Sequence, residues 1–433
     1  MPAPAPLSGM TRADELARSA SRLVEGATLA VRAFTPIDTN RVPAEWRHIT
    51  KVDPEDEKKL PLLYPLYLRH TSAVSVGGSR DVTADNTAET FELLHRLSIP
   101  SFHEPSGPRH VTDRTQELAE FLAIPEVLNG DVDSLIGQLG AGAEYIRDEL
   151  AVELIDEKLP WLPTGVKRRV ADFATGWMLS EAVFEAYIIM NTDSAAAREA
   201  NVGEGDLLSP REAAQRAMAA EKHLDSDVIY LEYSGTFGGE EAVDILEAVT
   251  DAVTWSRVWY GGGLDSRENA RAILDAGADA VIVGDIFHDA AAEEVEVLER
   301  ALDALPADAS RDAAREWVDA EVDLKGCAAT RYLSTIAAVS QPEETAAEYF
   351  AATIDARLAL ERLVEEVSAE DRASLERALD ERTPASLPGA RQLERAMGTE
   401  GIDLARTYAM AFLARENGVE YEPDLPLAHI SLF

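Results

Sequence analysis

The sequence predicts an α/β protein built on a TIM-type (β/α)8 barrel, with an N-terminal helical extension and an additional all-α C-terminal domain. Three observations carry this. Eight short apolar segments recur between residues 48 and 283, each followed by polar residues and then a helical pattern. Most are continuous apolar runs rather than alternating ones, as strands buried on both faces of a parallel sheet require. Beyond Asp303 no comparable run occurs and only amphipathic helical patterns remain.

Residues 1–10 read as a Pro/Ala leader. Thr11 is placed to cap a helix running to about Ala33, with Leu16, Leu23, Val24, Ala27 and Val31 on one face. A link punctuated by Pro36 and Pro43 leads to Trp46, which sets residues 1–44 apart from the barrel. The strands are expected at His48–Val52, Ala73–Val76, Ile99–His103, Ile124–Leu128, Ala186–Met190, Val228–Leu231, Arg257–Tyr260 and Ala280–Val283, the fourth being the least marked. An insertion over about residues 131–185 separates the fourth from the fifth and holds Leu159-Pro-Trp-Leu-Pro-Thr-Gly-Val-Lys-Arg-Arg169. A helix near Glu293–Leu302 completes a barrel over residues 45–302, and Asp303–Ser310 reads as a linker. Residues 303–433 carry helical patterns at Glu343–Val367 and Asp403–Arg415, are long enough for a core of their own, and end in an apolar tail expected to dock. These amphipathic helices are read as an oligomerisation or docking element, giving a homo-oligomer.

Composition narrows the function. At 433 residues the chain needs more than one typical core. With 79 acidic and 40 basic residues the formal net charge is −39, which argues against nucleic acid and against simple adsorption on anionic lipid. The acids are spread along a chain of ordinary 46% hydrophobic content, so disorder does not follow. A halophile's solvated surface explains such a charge better than a cationic partner does. The single cysteine, Cys327, excludes an intrachain disulfide framework and a cysteine-rich metal site, and it suits a reducing cytoplasm. No apolar run approaches the ~20 residues that span a bilayer, and the first residues lack a signal peptide's basic start and apolar core. A cytoplasmic protein is expected.

Barrels of this type carry their chemistry at the C-terminal ends of the strands. Those ends offer Lys51 and Asp53, then Gly77, Gly78 and Ser79, then Glu104, and, after the fifth strand, Asn191, Asp193 and Ser194. The sixth offers Tyr230, Glu232 and Ser234, the seventh Gly261–Gly263, and the eighth Gly284 and Asp285. Glycines after strands seven and eight let backbone N–H groups approach a phosphate, and the helix N-termini behind them add partial positive charge. A lone Gly-Gly-Gly is otherwise only a tight loop; two such loops one unit apart favour phosphate. Asp265-Ser266 is placed to cap the helix after the triple glycine. Lys51 and Asp53 lie two apart and point the same way. They make either a strand-end salt bridge or a site in which Asp53, with Ser79, holds Mg2+ and Lys51 neutralises a phosphate. Glu232 interrupts an apolar run, where a carboxylate is costly without a partner or a task. It is a base or polyol acceptor, or else half of a buried ion pair. His48, His103 and His110 show no metal-ligand spacing and read as core or surface residues. Neither a G-x-S-x-G elbow nor a P-loop is present. Lys167-Arg168-Arg169 reads as a salt-bridged helix start, or as a landing patch beside Trp161 for a diphosphate or lipid headgroup, with peripheral contact to a membrane.

Several stretches resemble the archaeal geranylgeranylglyceryl phosphate synthases and, less closely, the bacterial heptaprenylglyceryl phosphate synthases. They are W-R-H-I-T-K-V-D-P from Trp46, V-G-G-S from Val76, S-I-P with E-P-S-G-P between Ser98 and Pro108, Y-I-I-M-N-T-D-S-A from Tyr187, Y-L-E-Y-S-G-T from Tyr230, Y-G-G-G-L-D-S from Tyr260, and V-G-D from Val283. They cover about residues 45–300 in order. The resemblance implies a Mg2+-dependent prenyltransferase on a modified (β/α)8 barrel. Such an enzyme joins sn-glycerol 1-phosphate to geranylgeranyl diphosphate through an ether bond, an early step of archaeal membrane-lipid synthesis. It further implies that Asp53 and Ser79 bind the metal and that Lys51 binds the glycerol phosphate. Tyr230, Leu231, Glu232, Tyr233, Ser234 and Gly235 would cradle the glycerol, with Glu232 the candidate base. Gly261, Gly262, Gly263, Gly284 and Asp285 would take the phosphate. An apolar groove for the tail is expected after strands three to five, including Tyr187.

Three departures stand out. Asp285 replaces the family's usual Asn and would repel a phosphate unless only the backbone binds there. Ser134, beside Leu135, falls where the family usually has a bulky aromatic that limits tail length. The N-terminal helix, the insertion and the C-terminal unit lie outside the pattern. Two other functions fit the same residues: a barrel isomerase or synthase for another sugar phosphate, and a non-catalytic paralogue serving as a scaffold.

Overall fold

The computed structural model describes residues 23–24, 26–32, 34–35, 37–55, 60–78 and 81–431. The leader, the Thr11 cap, Leu16 and Ser79 lie outside the described residues. Residues 26–32 are helical, as expected, but Leu23, Val24 and Ala27 are exposed rather than packed. Arg32 anchors this helix by stacking 3.5 Å over the Trp255 ring and pairing with Asp225.

The eight strands are β1 (His48–Val52), β2 (Ala73–Val76), β3 (Ser101–His103), β4 (Ala123–Val127), β5 (Val183–Ile189), β6 (Val228–Glu232), β7 (Arg257–Gly261) and β8 (Ala280–Val283). They form one parallel sheet in the order β3-β2-β1-β8-β7-β6-β5-β4. Between its two ends lie a bridge of His103 to Leu122 and two backbone hydrogen bonds, His103 N–H to Phe121 O at 3.1 Å and Glu120 N–H to Ser101 O at 2.7 Å, so the barrel is nearly closed at the β3–β4 seam. Alternate residues point inward. Ile49, Ala73, Phe102, Val183, Tyr187, Val228, Tyr230, Trp259 and Ile282 fill the interior. β3 starts two residues later than expected because Pro100 cannot donate to the ladder. β5 starts three residues earlier, which brings Glu185 into the barrel lining.

The surrounding helices are α1 (Tyr64–Leu68), α2 (Ala84–His95), α3 (Asp113–Leu118), α4 (Gln138–Tyr145), α5 (Ala151–Lys158), α6 (Thr164–Glu181), α7 (Ala195–Glu199), α8 (Pro210–Ala219), α9 (Gly239–Ala252), α10 (Arg267–Asp275) and α11 (Asp285–Ala304). The insertion is therefore helical: α4 to α6, with π turns at Asp133–Gly137 and Ile146–Leu150, around a small core of Ala151, Ile155 and Ala171.

After the barrel come α12 (Arg311–Glu321), α13 (Ala328–Thr335), α14 (Pro342–Glu366), α15 (Arg372–Asp380), α16 (Ala390–Met397) and α17 (Thr399–Asn417). The sequence pattern predicts a core of their own; instead their buried side chains run without a break into the barrel's outer core. Tyr332 of α13 lies 4.9 Å from Phe287 ring to ring, and its hydroxyl meets that of Thr50 at 2.7 Å. His48 sits between Thr71 and Thr335, 3.0 Å from each, and its burial pushes its pKa down to about 3, so it is a neutral core residue. The Tyr408 hydroxyl donates to the Leu62 carbonyl at 3.1 Å. The C-terminal tail docks: Leu60 and Ile430 form a parallel bridge flanked by hydrogen bonds of 3.1 and 2.9 Å. Among the described residues no helix is long and apolar enough to cross a membrane.

Candidate active site

Each β-strand aims every second side chain into the barrel, so the interior near the C-terminal ends gathers Lys51, Ser75, Glu104, Glu185, Tyr187, Tyr230 and Glu232. Lys51 Nζ lies 3.0 Å from Glu104 Oε1. The Tyr187 hydroxyl donates to the same oxygen at 2.5 Å, and the Ser75 hydroxyl donates to Oε2 at 2.9 Å. Burial opposes the Lys51 charge, but the carboxylates of Glu104, Asp53 and Glu232 outweigh it and hold the ammonium above its ordinary range. Burial likewise works against ionised Glu104, yet Lys51 and the donated hydrogen bonds bring its pKa below the usual value. The two are a charged pair. Glu185 has the opposite fate: burial and the nearby Glu104 charge push it well up, and its Oε2 has no hydrogen-bond partner among the described residues. Both influences favour its neutral form.

Glu232 stands at the end of β6 with 3% of its surface exposed. Burial pushes its pKa up, while Ser234 and the Lys51 charge pull the other way. The Ser234 N–H donates to its Oε1 at 2.9 Å, leaving Oε2 facing the interior beside Gly261. The Tyr230 and Tyr187 rings meet at a tilt of 31° with centroids 4.3 Å apart, and the Tyr233 N–H donates to the Gly261 carbonyl at 2.7 Å. The Asn191 amide donates to Ser234 O at 2.6 Å, so the end of β5 braces the 232–235 turn.

Beside this wall lies a cleft of about 180 Å³, lined by Lys51, Tyr230, Ser234, Gly235, Gly261–Gly263, Asp265, Gly284, Asp285, Asp289 and Arg331. Two helix N-termini face it. Ser266 caps α10, its hydroxyl accepting from Asn269 N–H, and α11 starts after Gly284 with Asp285 at its first position. Asp285 there complements the helix dipole. Glycine is required at the cleft floor: a Cβ on Gly261 would fall 1.9 Å from the Tyr230 hydroxyl, and one on Gly262 (φ 152°) would fall 2.4 Å from Tyr233 Cβ. The floor therefore presents backbone, as a phosphate site needs.

Asp53 follows β1, and its backbone N–H donates to His288 Nε2 at 3.3 Å. Its carboxyl carbon would lie 3.3 Å from a Cβ on Gly78, so it borders a loop of bare backbone. One carboxylate there could serve a divalent ion of the kind that takes one or two carboxylates plus waters and substrate phosphates. No cluster of three or more His, Cys, Asp or Glu able to hold a metal occurs among the described residues, so Asp53 would share such an ion with substrate oxygens.

A second, larger cavity of about 370 Å³ follows the β3–β4 seam on the outside of the barrel. It runs from His103, Pro105 and Pro108 past Phe121 and Ile124 to Leu139, Gly142, Tyr145, Ile146 and Trp177 of the inserted helices. Tyr187 is not in it. The alternation of β5 turns its ring into the barrel, where its hydroxyl meets Glu104. Ser134 is not in it either, its hydroxyl donating to Asp131 O at 2.9 Å. Lys167 pairs with Asp156, and Trp161 is 75% exposed away from both cavities.

The structure thus brings together Lys51, Tyr230, Ser234, Gly235, Gly261–Gly263, Gly284 and Asp285 around one cleft, with Glu232 behind it and Asp53 on the adjoining loop. Leu231 is 2% exposed and Tyr233 3%, so they support the wall from behind. Two residues went unread in the sequence: Glu185, which lines the barrel interior, and Arg331, which lines the cleft. Glu185 carried a signal, the shared spacing of Glu185-Tyr187 and Tyr230-Glu232. Arg331 carried none.

Residues 41–305 match the PcrB family. A geranylgeranylglyceryl phosphate synthase of Haloquadratum walsbyi is 30% identical over 258 residues, 58% of this chain and 91% of the relative. Another, from Natronomonas pharaonis, is 33% identical over 267 residues, 60% of this chain and 97% of the relative. A heptaprenylglyceryl phosphate synthase of Bacillus cereus is 28% identical over 249 residues, 56% and 91% of the two chains. Among solved structures, (S)-3-O-geranylgeranylglyceryl phosphate synthase from Thermoplasma acidophilum in complex with sn-glycerol-1-phosphate aligns with a TM-score of 0.42 at 17% identity, covering 65% of this chain and 92% of that one.

Proposed function

This chain belongs to the PcrB family, the geranylgeranylglyceryl phosphate synthases, and on that premise we propose that it joins the C3 hydroxyl of sn-glycerol 1-phosphate to geranylgeranyl diphosphate. The observation that carries the reading is the adjacency of a small glycine-floored cleft with a buried carboxylate, Glu232, at its wall. The seam cavity supplies the apolar volume that a prenyl tail needs.

In this reading the phosphate lies on the backbone of Gly261–Gly263 and Gly284, with Lys51 as counter-charge. Tyr230 to Gly235 wall the glycerol. Glu232 Oε2 takes the proton of the C3 hydroxyl as that oxygen bonds the prenyl C1. The C1–O bond breaks at the same centre, and its electron pair leaves with diphosphate. Asp53 and Ser79 would hold Mg2+, which supplies neutralising charge to the departing diphosphate when bound. The Lys51–Glu104 pair fixes the ammonium, and protonated Glu185 adds no further negative charge beneath it. Residues 45–302 are the catalytic barrel in this reading, residues 303–433 its buttress, and the setting is cytoplasmic.

The test is product formation. Purified protein with Mg2+, sn-glycerol 1-phosphate and a series of prenyl diphosphates should yield a prenylglyceryl phosphate, identified by mass, with one tail length preferred. Absence of product with every donor would sink the proposal. Equal use of other sugar phosphates would favour a different barrel enzyme.

A further inference from the structure

The cleft has an unusual balance of charge for an anion site. Its lining carries three carboxylates, Asp265, Asp285 and Asp289, against Lys51 and Arg331. Lys51 is already committed to Glu104 at 3.0 Å. A phosphate dianion entering beside three carboxylates needs a second cation, and Arg331 is the other one on the cleft wall. We propose that Arg331 is a phosphate-binding residue delivered to the cleft by the C-terminal helices. This rests on the function proposed above and extends it to a part of the chain beyond the family-matched residues 41–305.

The position of Arg331 is built rather than incidental. It projects from α13, whose neighbours are the two helices with N-termini at the cleft. The α13 N-terminus is tied to α11 by the Ala328 N–H, which donates to Glu293 Oε2 at 2.7 Å. Arg267, at the start of α10, reaches back to donate to the Val339 carbonyl after α13. Tyr332, next to Arg331, is locked to Thr50 of β1 at 2.7 Å. The guanidinium itself pairs with Asp265 in the turn before α10, and the side chain keeps 42% of its surface exposed. A half-exposed Arg held by one carboxylate at the lip of a phosphate cleft has donors to spare, and its planar fork matches phosphate oxygens. Asp265 then aims Arg331 at the cleft while it is empty.

The experiment is calorimetric titration of the full chain with sn-glycerol 1-phosphate and with inorganic phosphate, for wild type, Arg331→Gln, Arg331→Lys and Asp265→Asn. Arg331→Gln should weaken sn-glycerol 1-phosphate about tenfold, the loss of one charge-assisted contact. Arg331→Lys should fall between, and Asp265→Asn should bind as well as wild type or better, having lost a carboxylate from the cleft. In steady state Arg331→Gln should raise the KM for sn-glycerol 1-phosphate and leave that for the prenyl diphosphate unchanged. Unchanged affinity in Arg331→Gln overturns the proposal. So does equal weakening in Asp265→Asn, which would make the pair a loop brace. A wild-type protein that binds no sn-glycerol 1-phosphate overturns the parent reading instead, and this inference with it.

Discussion

Lys51 Nζ, on β1, and Glu104 Oε1, just after β3, lie 3.0 Å apart inside the barrel, with β2 between the two strands. The contact joins the first and third strand ends and fixes a cation at the cleft wall. Lys51→Met should leave Glu104 with the Tyr187 and Ser75 hydroxyls but no charge partner, and should strip the cleft of its interior cation. The expected result is a rise of at least about tenfold in the KM for sn-glycerol 1-phosphate. An unchanged KM would show that the phosphate sits elsewhere.

Glu232 gives a pH signature. Burial raises its pKa, so the carboxylate needed as base forms only above the usual carboxylate range. Turnover should therefore rise with pH along an acid limb displaced upward from ordinary glutamate. Glu232→Gln should lower kcat by about 10²–10⁴ and erase that limb. A variant that kept the limb would move the titrating base to another residue.

How far the sequence went is seen strand by strand. Short apolar segments, most of them continuous runs, located all eight strands, because burial on both faces favours that pattern. The start of β5 escaped because Glu185 reads as a polar boundary, whereas its side chain lies inside the barrel. The glycine loops were legible since close backbone approach leaves a local mark, as Gly261 and Gly262 show. Arg331 had no local mark at all. Only the packing of α13 against α10 and α11 brings it to the cleft.

Glu294 links the barrel to the C-terminal helices and tail. Its Oε1 accepts from Leu62 N–H at 2.6 Å and Ser431 hydroxyl at 2.8 Å, and its Oε2 accepts from Thr353 at 3.1 Å. Burial raises its pKa to about 7. Between the ordinary glutamate value and about 7 the folded chain holds a proton that the unfolded chain has lost. Stability should thus fall as pH rises through that window and level off above it. Glu294→Gln removes the titration, and relative to wild type it should gain on the order of 1–3 kcal/mol between pH 5 and pH 8. Denaturant melts at both pH values test this, and parallel changes in the two proteins would refute it.

The shared core also changes what a truncation should do. An oligomerisation module would come off at Asp303 and leave a soluble barrel of altered native mass. Here that cut would uncover Phe287 and Tyr67, which now pack on Tyr332 of α13 at 4.9 and 6.3 Å. It would also strand Glu294 without Thr353 and Ser431. Each large apolar side chain returned to water costs about 1.5–3 kcal/mol, so several of them together reach the roughly 5–15 kcal/mol that holds a domain folded. The truncated barrel should aggregate or lose its cooperative melt. A point variant at the same seam, Tyr332→Ala, should fold but melt lower, having lost about 3–5 kcal/mol. A soluble residue 1–302 fragment with a sharp melt and full turnover would show that the C-terminal helices are dispensable to the barrel.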